Sequence, residues 1–201
     1  VTGAQDTAFD DGLGELTAAD GPWSLADAPT DRAFIDFGPL RLPAIAGIKV
    51  RAEVDRASQR IGAVTVLVAD CEVQLQVIAA PRGQGGWTDV RRALAQTVRR
   101  KSGFLHTVEG RFGPELIATV TGRDSRDLLR DVTFRHVGID GDRWLLRAVV
   151  MGPSVAEDAT VARVDALLSQ CAVDRGTEAL PRGTVMALSK PPGAPAAGGG
   201  S

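Results

Sequence analysis

Cysteine is nearly absent. Cys71 and Cys171 are the only two, they stand 100 residues apart and no CxxC occurs, which excludes a disulfide framework and a cysteine-built zinc site and points to buried, reduced thiols. Long apolar runs are missing as well: stretches such as Ala63 to Ala69 and Leu145 to Gly152 fall far short of the ~20 residues a membrane helix needs. The first residues are acids and glycine, without the basic segment and apolar run of a secretory leader, so a cytoplasmic location is expected. There is no tyrosine, and three lysines stand against 20 arginines, a composition typical of GC-rich bacterial genomes. No internal repeat is present.

What is there is ordinary for a globular protein: 201 residues, 44% hydrophobic, 24% charged, net charge −2. These values suit one domain and exclude wholesale disorder, collagen-like repeats and a polybasic chain. The charge is unevenly placed. Residues 1–31 hold seven acids (Asp6, Asp10, Asp11, Glu15, Asp20, Asp27 and Asp31) and no Lys or Arg, so the remainder carries +5. This acidic, Gly- and Ala-rich stretch has no periodicity and reads as a largely disordered tail over 1–31. Residues 182–201 read as a flexible Pro/Ala/Gly tail. One domain is expected over 32–181.

Within that domain the dominant period is two. Val50, Ala52 and Val54 alternate with charged residues, and Cys71, Val73, Leu75 and Val77 alternate with Glu72, Gln74 and Gln76, each pattern predicting a strand with one buried face. Ile61 to Val68 reads as a strand that turns through Ala69-Asp70 into the next. Further strands are expected over Leu116 to Thr121, Val132 to Val137 and Arg143 to Met151, the last two joined by an Asp140-Gly141 turn, and Phe34 to Phe37 adds an edge strand. In the final strand Trp144, Leu146, Ala148 and Val150 share a face, with Trp144 and Leu146 expected in the core. Two segments switch to the helical period. Trp87, Val90, Leu94 and Val98 fall on one face, with Thr88 or Asp89 as cap and Trp87 as anchor; Val161, Val164, Leu168 and Cys171 follow Glu157 and Asp158, with an end near Asp174. The order strands, helix, strands, helix predicts an α+β fold: a curved antiparallel sheet with two main helices packed on it.

The segments Gly21-Pro22-Trp23, Leu40-Arg41-Leu42-Pro43, Ala79-Ala80-Pro81-Arg82, Trp87 with Asp89-Val90-Arg91, Gly113-Pro114-Glu115-Leu116, and Val137-Gly138-Ile139-Asp140-Gly141-Asp142-Arg143-Trp144 through Arg147 together resemble the actinobacterial domain-of-unknown-function 3710 family. The resemblance runs from about Gly21 to Pro181. Asp142, where the pattern has proline, and Lys101-Ser102-Gly103, where it has Gln-Gly-Gly, depart from it without a consequence for the fold. It implies a cytoplasmic bacterial protein with no assigned activity, so no catalytic residue is carried over. More loosely, the element order resembles the Mog1/PsbP-like fold, whose members usually bind partners, a fold-level analogy only.

Candidate chemistry is sparse. His106 and His136 are the only histidines. His136 with Asp140 and Asp142 could suggest a metal or hydrolytic site, but Asp-Gly-Asp is not a calcium-loop order and a hairpin explains it. His106 with Glu109 could orient a base, yet no serine or cysteine has a nucleophile context. Gly83-Gln84-Gly85-Gly86 precedes a helix but lacks the Gly-Lys-Ser/Thr of a phosphate loop. No metal or cofactor is implied. The one concentrated feature is basic: Arg82, Arg91, Arg92, Arg99, Arg100 and Lys101 against Asp89 alone. At ~100° per residue Arg91, Arg92 and Arg99 are expected beside or opposite the apolar stripe, giving the helix from Trp87 to Lys101 a basic outer face for an anionic contact. The expected function is a non-catalytic binding or interaction module that recognises a protein partner or a small polar ligand. Nucleic-acid association through the basic helix is the alternative, and no membrane is expected. The acidic tail is expected to mask this face through weak, salt-sensitive contacts.

Overall fold

In the centre of the chain, strict alternation of apolar and polar residues builds a rung-by-rung sheet. The computed structural model describes residues 16–83, 85–100, 103–123 and 129–192. Strand β6 (Cys71–Ala79) turns Cys71, Val73, Leu75 and Val77 to one face, and β10 (Trp144–Met151) lays Leu146, Ala148 and Val150 opposite Val77, Leu75 and Val73. All of these side chains are buried, and their neighbours along each strand point to the other face, as the two-residue period requires. Around this pair are β4 (Val50–Val54), β5 (Ile61–Val68), β7 (Phe104–Gly110), β8 (Gly113–Arg123) and β9 (Leu129–Asp140). They form a seven-stranded antiparallel sheet in the order β4-β5-β6-β10-β9-β8-β7.

A second sheet joins β1 (Trp23–Ser24), β2 (Phe34–Asp36), β3 (Leu40–Pro43) and β11 (Ala172–Val173) in the order β1-β11-β3-β2, with β1 and β11 parallel. Leu40, Leu42 and Val173 from this sheet, Val164, Leu167 and Leu168 from helix α2 (Asp158–Ser169), and the inner residues of β5, β6 and β10 make one core. Helix α1 (Gly86–Arg100) lies on the opposite face of the large sheet, where Trp87 meets Ile78 and Leu145 with Val90 and Leu94 beside them. The fold is α+β. Trp144 and Leu146 are buried and Trp87 anchors α1, as the pattern predicts.

Several boundaries differ from the expectations, each for a physical reason. The packed body extends beyond 32–181: Trp23 pairs with Ala172, Val185 with Ile78 and Leu188 with Ile61, and Met186 and Leu188 are buried. Such two-residue pairings are too short to leave a periodic signature. In β4 the expected buried face is not buried, with Val54 48% exposed, because β4 is a bulged edge strand. The β9–β10 loop is Gly141-Asp142-Arg143, and the left-handed residue is Arg143 rather than glycine. Gly141 is needed for space: a Cβ there would fall about 2.0 Å from the Trp144 ring. Helix α2 stops at Ser169, short of Asp174, because residues 172–173 pair with both β1 and β3. Strand β3 is too short, and β7 too mixed in exposure, to show a period in the sequence. Among the described residues, no helix is long and apolar enough to cross a membrane.

Candidate functional site

Helix α1 is held to the sheet at its first turn. The Asp140 carboxylate accepts the backbone N–H groups of Trp87 (2.9 Å) and Gly85 (3.1 Å), which satisfies amides that an α-helix leaves open at its start. The cap therefore comes from the end of β9, not from Thr88 or Asp89. The Trp87 indole donates to the Pro114 carbonyl (2.7 Å) and lies on Gly138, where a Cβ would stand 2.1 Å from the ring. From there α1 runs along β9 and β8 to Val98, which approaches Gly103 beside Val120.

The six basic residues divide. Arg82, Arg92, Arg99 and Arg100 are exposed. Arg92 pairs with Asp89 at 3.1 Å, and Asp89 also takes Arg182. Arg91, expected on the outer face, is partly buried with its Nε enclosed and unpartnered. Four residues after Trp87 it lies only ~40° further round the helix, so it shares the sheet-facing side. Val90 packs toward Ile78 and Leu145 on β6 and β10, which puts Arg91 on the opposite flank, above β8 and β7. Arg99, ~120° round from Trp87, leans to the same flank, whereas Arg92, ~140° round, points away from the sheet, where it pairs with Asp89. Lys101 lies outside the described residues. Arg82, Arg91, Arg99 and Arg100 have no carboxylate partner within the described residues.

Beneath the other flank the sheet is polar. Arg147 of β10 pairs across with Gln76 of β6, donating to its Oε1 at 3.1 Å, while its Nε is buried without a partner. His136 of β9 is its diagonal neighbour, opposite Val149, and is buried with Nδ1 unpartnered and the Phe134 ring 6.1 Å away. Burial, and then the Arg147 charge, hold the imidazole down at about 4 from the usual 6.5, so it is neutral near pH 7. The carboxylates on this side of β4 and β6 are engaged: Glu53 by Thr65 and Gln74, Glu72 by Arg51.

The core side treats its charges differently. Arg135, also on β9, is clamped by Glu115 (2.6 and 2.8 Å) and by Asp165 of α2 (2.6 Å). Burial works against its charge, and the two carboxylates outweigh that and raise its pKa. A second knot joins the β5–β6 turn to the start of α2. Asp70 accepts from Ser154 and Cys71, and Ser154 Oγ lies 2.8 Å from Thr160 Oγ1. Neither cluster shows in the sequence, because the bonds that tie each one together, Arg135 to Glu115 and Asp165 and Asp70 to Ser154, span 20 to 84 residues. Desolvation raises the Cys71 thiol, and no histidine joins the Ser154 knot.

The other sequence candidates do not assemble. His136 and Asp140 stand four residues apart along β9, ~13 Å at strand spacing, and Asp140 is occupied as the helix cap. His106 is exposed beside Phe104, while Glu109, an odd number of residues away on β7, points to the other face. The Gly85 amide of the glycine-rich loop is spent on Asp140. Among the described residues no group of three His, Cys, Asp or Glu side chains could hold a metal.

Among the described residues these features define an α+β protein of two sheets and two α-helices, with Arg135 neutralised on the core side and Arg91 and Arg147 without a carboxylate on the α1 side. The chain belongs to the family described as protein of unknown function (DUF3710), whose model matches residues 21–197. No curated protein and no solved structure matches it.

Proposed function

We propose that this is a non-catalytic binding module of the bacterial cytoplasm that takes an acidic, extended segment of a protein partner along the edge of β7. One observation carries the reading: among the described residues nothing pairs with the outer side of β7, a long edge strand bordered by arginines. Its seven residues pair regularly with β8 and contain no Lys, Arg, Pro or bulge. The other sheet edges are blunted. Strands β1 and β2 have two and three residues, and β4 carries Arg51, Glu53 and a register shift. An unprotected edge is a template for strand addition, and the flank of α1 toward it carries Arg91 and Arg99. Main-chain pairing would supply affinity and the arginines would select acidic residues. Among the described residues no nucleophile stands beside a base.

Nucleic acid is the second reading, supported by Phe104, which is 68% exposed four residues beyond Arg100 and offers a stacking surface. Fluorescence anisotropy separates the two. A labelled peptide of alternating Glu and Val is expected to bind, and the double substitution Arg91→Ala, Arg99→Ala to weaken it at least fivefold. Binding of a single-stranded oligonucleotide of equal length in preference to the peptide would favour the second reading. No binding of either would reject both.

A further inference from the structure

The groove on the other flank of α1 is independent of the β7 edge. Its floor is a ladder of paired residues on β6 and β10: Ile78 opposite Leu145, then Gln76 opposite Arg147, then Gln74 opposite Val149. The first rung is apolar and adjoins a cleft of about 70 Å³ floored by Ile78 and Leu145 and bordered by Val90 and by the paired Asp89 and Arg182, room for about two water-sized groups. The second rung is cationic. Arg147 donates one hydrogen bond to the Gln76 amide oxygen and meets no carboxylate among the described residues, and its Nε is enclosed without a partner. Beside it His136, only 8% exposed, holds Nδ1 in the same condition.

Buried polar groups are normally hydrogen-bonded, and exceptions call for a missing partner. This chain supplies such partners elsewhere: Arg135, on the same strand as His136, is given two carboxylates. On this side of the sheet Glu53 and Glu72 are committed to other residues, and Asp140 caps α1. The groups facing the second rung are therefore Gln74, Gln76, His136 and Arg147, with Val90 and Leu94 above the first. They offer donors and a positive charge, and the one carboxylate lining the adjoining cleft among the described residues, Asp89, is held by Arg92 and Arg182.

We propose that the sheet face of β9 and β10 beside α1 binds an oxyanion, a carboxylate or phosphate, held by Arg147 and His136, with a short apolar substituent in the adjoining cleft against Leu145 and Ile78. The guanidinium supplies charge and paired donors. The neutral imidazole, in its Nδ1–H tautomer, adds one hydrogen bond. The first rung favours a ligand of two or three apolar carbons beyond the acid group over the bare ion.

The two imidazoles provide the test, since His106 lies exposed on β7 and serves as an internal control. Proton–carbon NMR of the full chain is recorded during titration with inorganic phosphate or butyrate at constant ionic strength and pH, with His106→Gln assigning the signals. Saturable movement of the His136 signals with either anion, and none at His106, is expected; the more effective anion identifies the source. Arg147→Gln is expected to weaken the response at least tenfold while the thermal transition stays cooperative. If that variant does not fold, Arg147→Lys keeps the charge without the fork and serves instead. His136 signals that stay still, that move in parallel with His106, or that respond equally in the Arg147 variant would overturn the proposal.

Discussion

The carboxylate of Asp140 accepts the backbone N–H of Trp87 at 2.9 Å across 53 residues of sequence. This bond fixes the start of α1 on the end of β9, and so sets the height of the α1 arginines above the sheet. Replacing Asp140 by Ala is expected to cost about 1 kcal/mol, the usual worth of an N-cap, with Asn restoring most of it. Urea unfolding of the three proteins checks this. Equal stability of Asp140→Ala and wild type would mean that α1 does not depend on the cap.

His136 predicts a pH dependence. Its folded-state pKa of about 4 lies below the ordinary 6.5, so between these values the unfolded chain binds a proton that the folded chain refuses. The contribution is fully present above pH 6.5 and is lost as pH falls toward 4. By linkage it amounts to ~3 kcal/mol. Urea unfolding from pH 7 to pH 4 is expected to show that loss, and His136→Gln to remove most of it. Parallel pH curves for the two proteins would contradict a neutral, buried imidazole.

The cysteines are expected to be silent in the native state. Cys71 and Cys171 are fully buried and unpaired, and desolvation pushes the Cys171 thiol up to about 12, which leaves almost no thiolate to react. Labelling with an aromatic disulfide reagent should proceed at the rate of unfolding. Prompt labelling of either thiol in native protein would show that the core opens locally.

Much of the architecture was legible because it rests on period. The alternation in Cys71 to Val77 and in Trp144 to Val150 places the two central strands and their inward residues correctly, and the Trp87, Val90, Leu94, Val98 stripe places α1. Arg91 shows where the pattern misleads. Beside a large residue such as Trp87 the buried arc of a helix widens to admit the stem of an arginine, so an apolar stripe alone understates what faces the sheet. The groups that give the α1 side its character, His136, Arg147 and Asp140, are joined to their surroundings through strand pairing and a long-range cap. Two-residue pieces such as Trp23–Ser24 and Ala172–Val173 acquire their form only from their partners.

The acidic residues Asp6, Asp10, Asp11 and Glu15 lie outside the described residues, and the described chain begins beside the β7–β8 turn, where Arg111 donates to the Ala19 carbonyl at 2.9 Å. Deleting residues 1–15 removes these four acids and is expected to strengthen acidic-peptide binding severalfold at low salt. The difference should vanish near 1 M salt, where the screening length falls to ~3 Å. Identical salt titrations for the two proteins would make the acidic segment a bystander.

The claim that β7 receives an acidic strand is tested most directly by backbone amide exchange and chemical-shift mapping of isotopically labelled protein with the Glu/Val peptide. The account predicts that alternate amides of Phe104–Gly110 become protected from exchange and that the largest shifts fall on β7 and the Arg91–Arg99 flank of α1. Shifts centred on β4, on α2 or on the Arg135 cluster, or binding without new protection in β7, would contradict it.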